Sequence, residues 1–97
     1  MYFKKIRSVK LPEEVQGFIR FQCLNYKKMP ENVKADIKRC CFEVGKLNHK
    51  ALFEVVTSKY KSVTQISGDY YIALRTLYSL RKEFYMRYAE ICFKNVE

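Results

Sequence analysis

Ninety-seven residues carry 19 Lys and Arg against 10 Asp and Glu, a formal net charge of +9, with 48% hydrophobic content. That length supports one core and leaves little room for a second unit, and the apolar content excludes a disordered tail. No apolar run approaches the ~20 residues of a membrane span, and Met1-Tyr2-Phe3-Lys4-Lys5-Ile6-Arg7 is not followed by the apolar stretch of a signal peptide, so a cytoplasmic protein with no membrane partner is expected.

The positive surplus points to a polyanionic partner, nucleic acid first. It is spread along the chain: residues 1–58 hold +6 and residues 59–97 hold +3, with Lys4, Lys5, Arg7 and Lys10 at the start. Residues 1–11 are open to three readings, namely a short strand, an arm or a frayed start.

From residue 12 the spacing predicts helices. Leu11-Pro12-Glu13-Glu14-Val15 starts the first: proline suits the first turn, the glutamates face the positive dipole end, and Leu11 can staple onto Val15. Val15, Phe18, Ile19, Cys23 and Tyr26 recur at helical spacing. Met29-Pro30-Glu31 ends this helix and begins a second, whose apolar face is Val33, Ile37, Cys40, Cys41 and Val44. Gly45 is expected as its left-handed cap. A third helix is predicted over about 48–57, with Ala51, Leu52, Val55 and Val56 inward.

After the polar connection Ser58-Lys59-Tyr60-Lys61, Ser62-Val63-Thr64-Gln65 has the form of a capping box and opens a short fourth helix over about 63–70. The last helix begins near Ala73 and extends to about Phe93, with the stripe Leu77, Leu80, Phe84, Tyr88 and Ile91, and Tyr78 and Tyr85 beside it. The expectation is an all-α bundle of about five helices forming one domain over 1–97, with a helix-turn-helix near 62–81 running on into the long C-terminal helix to 93.

The residues from Ile66 to Arg81 have the apolar register of that device. Ile66 is the buried position of the first helix, Ser67 the small residue beside it and Tyr70 the apolar end. Tyr71 occupies the turn, Ile72 follows it, and Leu77 and Leu80 face inward from the second helix. Two residues depart from the usual pattern. Tyr71 stands where glycine is commonest, and Ala73 stands where Ser or Thr would cap the second helix.

In this frame Ala73, Leu74, Arg75, Thr76, Tyr78 and Ser79 face outward. Arg75 is the candidate base contact, since a guanidinium pairs bidentately with guanine. Thr76 and Tyr78 are candidates to donate to phosphate, Ser79 is a further outward DNA-binding candidate, and Lys59, Lys61, Arg81 and Lys82 are candidates to hold the phosphate backbone.

Residues 66–91, with Tyr70-Tyr71-Ile72, Thr76-Leu77-Tyr78, Leu80-Arg81-Lys82 and Phe84 through Tyr88-Ala89-Glu90-Ile91, resemble the C-terminal helix-turn-helix of ArpU/RinA-like phage and mobile-element transcription regulators. That end is related in form to the promoter-reading end of sigma factors. The resemblance implies duplex DNA as partner and transcription control in a phage or integrated element, with RNA polymerase or another host protein as a further partner.

No catalytic, metal or cofactor site is expected. The chain has one histidine, His49, no glycine-rich phosphate loop and no C-x-x-C pair. Cys23, Cys40, Cys41 and Cys92 read as reduced small hydrophobes, with Cys40 and Cys41 on different sides of their helix. Asp36, Glu43 and Glu54 read as isolated helix carboxylates. The competing reading is a small basic helical interaction protein, either a phage-encoded host-factor binder or a homodimeric scaffold, in which the helix-turn-helix is only structural.

Overall fold

The computed structural model describes residues 9–93. These form five helices: α1 (Glu13–Leu24), α2 (Glu31–Gly45), α3 (His49–Thr57), α4 (Val63–Tyr70) and α5 (Leu74–Phe93), with single 3₁₀ turns at Tyr26–Lys28 and Lys46–Asn48. No strand occurs among the described residues, so the all-α expectation holds. The calls on Lys4, Lys5, Arg7 and the rest of residues 1–8 lie outside the described residues.

The predicted helix starts match their causes. Pro12 and Pro30 each sit immediately before a helix, with Glu13, Glu14 and Glu31 in the first turns. Val9 is buried, and Leu11 and Val15 pack against the same core. The buried Gln16 ties this entry down: its Nε2 donates to the carbonyls of Val9 at 3.2 Å and Leu11 at 3.1 Å.

The core has two parts. The larger joins α1, α2, α3 and the C-terminal half of α5 around Ile19, Ile37, Leu52, Phe84 and Tyr88. The rings of Phe84 and Tyr88 stack with centroids 5.4 Å apart. The smaller joins α3, α4 and the start of α5 through Ala51, Ile66 and Leu77. Val55 and Leu80 pack against both. The long last helix therefore does two jobs. Its first turns complete the small core and its later turns the large one, where the Tyr88 hydroxyl donates to Gln22 Oε1 at 2.9 Å.

Two sequence expectations need correction, on Gly45 and on the acidic side chains, and two others hold. Gly45 is not the left-handed cap: it has φ −80, and the positive φ falls on Lys46 at 52. Gly45 instead serves close packing, since a Cβ there would lie 3.3 Å from Leu52 Cδ2. Cys40 and Cys41, both read on the apolar face of α2, are buried in the large core as expected. Tyr78 is 44% exposed, in keeping with its outward position, and Tyr85, beside the apolar stripe, is buried. The acidic side chains are not isolated. Asp36 pairs with Arg39, Glu43 with Arg87, and Glu54 with Lys61.

Candidate nucleic-acid interface

The junction of α4 and α5 is built from short-range chemistry. Ser62 caps α4, its Oγ accepting from the Gln65 amide at 3.1 Å. At the other end Tyr71 adopts the left-handed conformation, φ 55 and ψ 42, and its amide donates to the Ser67 carbonyl. The Ile72 amide donates to the same carbonyl at 3.1 Å, and the Ser67 hydroxyl donates back to the Ile72 carbonyl. This reciprocal pair closes the turn. Position 67 was legible as a small residue; that its hydroxyl also pins the turn was not.

The apolar register lands as expected. Ile66 and Leu77 are fully buried, and Tyr70, Ile72 and Leu80 pack against them. Ala73 lies just before α5, and its carbonyl accepts from the Leu77 amide at 3.2 Å, without a side-chain acceptor to help.

A clasp fixes α4 on α3. Lys61 Nζ donates to Asp69 at 3.1 Å and to Glu54 at 3.4 Å, and the Tyr70 hydroxyl donates to the other Glu54 oxygen. The hydrogen bond to Asp69 is the main cause holding the Lys61 ammonium above its ordinary pKa. The hydrogen bond to Glu54 is the main cause keeping the Tyr70 phenol protonated beyond its usual range. Glu54 gave no signal in the sequence, because the pairing joins residues on three separate segments.

The seven candidate contacts divide between two segments. Arg75, Thr76, Tyr78, Ser79 and Lys82 lie on the first half of α5, all exposed, with Arg75, Ser79 and Lys82 on one face at helical spacing. Lys59 and Lys61 lie in the α3–α4 connection. Arg75, Lys59 and Lys82 make no ion pair among the described residues, whereas Lys61 makes two. The Arg81 guanidinium sits 5.0 Å from the Tyr78 ring centroid, which steadies that ring at the surface. Beyond Ser79 the outward face of α5 acquires Glu83 and then Glu90. Lys82 and Arg87 are exposed there too, so the charge on α5 is mixed beyond Ser79, while its first turns carry Arg75 without a carboxylate.

No family model, curated protein or solved structure matches this chain. The geometry therefore carries the functional reading. Among the described residues no group of three or more His, Cys, Asp or Glu side chains is placed to hold a metal, and no helix is long and apolar enough to cross a membrane.

Proposed function

We propose that the protein binds duplex DNA, laying the first turns of α5 in the major groove, as a transcription regulator of the phage or mobile-element type that residues 66–91 resemble. The observation that carries this reading is the exposed Arg75, without an ion pair among the described residues, beside Thr76 and Ser79 on a helix whose start is fixed by the Ser67–Ile72 turn. A guanidinium held there by a rigid turn suits bidentate recognition of guanine, and the hydroxyls suit phosphate or base edges. The net charge of +9 supplies the long-range attraction. Lys59 and Lys82 contact phosphate in this reading. Lys61 does not, because its ammonium is committed to Glu54 and Asp69.

Fluorescence anisotropy on a set of duplexes, between about 50 mM and about 200 mM salt, tests the proposal. Affinity is expected to fall steeply with salt. Arg75→Ala should weaken the preferred duplex by about 1–3 kcal/mol and flatten the preference among sequences. Lys82→Ala should lower the salt slope by about 1, and Lys61→Ala should leave that slope unchanged. Absence of duplex binding even at the lowest salt would falsify the DNA reading.

A further inference from the structure

The turn before α5 holds a side chain that the fold itself does not use. Tyr71 has φ 55 and ψ 42, a left-handed backbone that costs energy for a residue with a Cβ and that glycine would adopt freely. Its side chain is 96% exposed, and neither the ring nor the hydroxyl has a partner among the described residues. Its neighbours differ. The Tyr70 hydroxyl donates to Glu54, and Ile72 packs against the small core. Backbone strain that no internal contact offsets clusters at sites where a protein meets its ligand.

The place of Tyr71 in the chain indicates which part of the ligand it meets. Only two residues separate it from Leu74, where α5 begins, and the Ser67–Ile72 pair fixes the path between them. The major groove is about 12 Å wide. A chain that leaves the N-terminal end of a helix seated there meets a flanking phosphate strand within a few residues. The carboxylate closest in sequence, Asp69, is paired with Lys61 Nζ at 3.1 Å, which offsets its repulsion of that strand.

We propose that Tyr71 is a DNA-contacting residue, its phenol hydroxyl donating to a phosphate oxygen at the edge of the groove that α5 enters. The proposal rests on the reading of α5 as the helix laid in that groove. A phosphate contact fixes the protein on the duplex without carrying sequence information. A phenol is an uncharged donor, so it releases no counterion and leaves the salt dependence to Arg and Lys.

The test is fluorescence anisotropy on a preferred and a non-preferred duplex, with Tyr71→Phe and Tyr71→Asn measured beside the unaltered chain. Phenylalanine keeps the ring and removes only the donor. Asparagine removes both and adopts the left-handed backbone with less strain. Tyr71→Phe should weaken binding to both duplexes by about 3- to 10-fold, as loss of one neutral hydrogen bond does, with the salt slope unchanged. Tyr71→Asn should bind at least as weakly, yet unfold at a higher urea concentration. Lower affinity with higher stability is a combination that a purely structural role does not produce. Tyr71→Phe binding as tightly as the unaltered chain overturns the proposal and leaves the DNA reading standing. So does a loss confined to one duplex, a changed salt slope, or a Tyr71→Asn chain that gains no stability. An unaltered chain that binds neither duplex overturns the proposal and the DNA reading together.

Discussion

Tyr71 shows how much a single position constrains the α4–α5 junction. An L-residue in the left-handed region crowds its Cβ against the backbone, at a cost of roughly 1–2 kcal/mol. Its side chain recovers little of this, being 96% exposed. Tyr71→Gly should therefore raise stability by about 1 kcal/mol, read as a higher midpoint in urea denaturation with an unchanged slope. An unchanged or lower midpoint would mean that the ring, exposed as it is, contributes as much as the strain removes. The same local logic failed at Gly45. Glycine after an apolar run signals a left-handed cap, but here it signals a close approach to Leu52. Periodicity cannot tell these apart, because the difference lies in what packs against the residue from outside its own helix.

At the scale of the element, α4 is the informative case. Eight residues are too few to hold a helix in water. The helix persists because Ser62 caps it, Ser67 closes its far end, Ile66 is buried beneath it and Lys61 ties Asp69 to Glu54 on α3. Gly68 contributes none of this. A Cβ there would meet nothing within 4 Å, so neither a close contact nor an unusual backbone requires glycine. Gly68→Ala should stabilise the protein by about 0.5–1 kcal/mol through helix propensity alone, seen as a higher melting temperature. A lower melting temperature would show that the exposed face of α4 is more constrained than the structure indicates. The bounds of α4 were legible because its capping box and turn residues are local signals. The clasp on α3 was not, since Lys61, Glu54 and Asp69 are brought together only by packing.

At the scale of the whole molecule, α5 unites the two parts of the core. Twenty residues of α-helix run about 30 Å, in a molecule with a longest extent of 40 Å. The large core also sets the response to alkali. Burial pushes the Cys40 thiol from its ordinary 9.0 up to about 12, and burial raises Cys23 and Cys41 as well. Between the unfolded and folded values the folded chain binds more protons, so stability falls as pH rises from about 9 towards 12. Each such thiol removes up to about 1.4 kcal/mol per pH unit across its window. Melting temperatures should hold near neutrality and then drop above about pH 9, less steeply in Cys40→Ala. A profile equally steep in that variant would place the alkaline sensitivity elsewhere, on the raised phenols of Tyr85 and Tyr88 or on the Lys61 clasp.

Sequence alone determined the helical class, the five helices and the register of Ile66, Ser67, Tyr70, Ile72 and Leu77. Those depend on spacing, capping and turn chemistry within a few residues, and such forces are written in consecutive positions. Only the tertiary structure decided that Lys61 is engaged while Arg75 is exposed with no ion pair among the described residues, that Gly45 serves packing and Lys46 carries the strain, and that Leu47 stands out to solvent. Each of these is a relation between residues far apart in the chain, so its energy exists only once the helices have met.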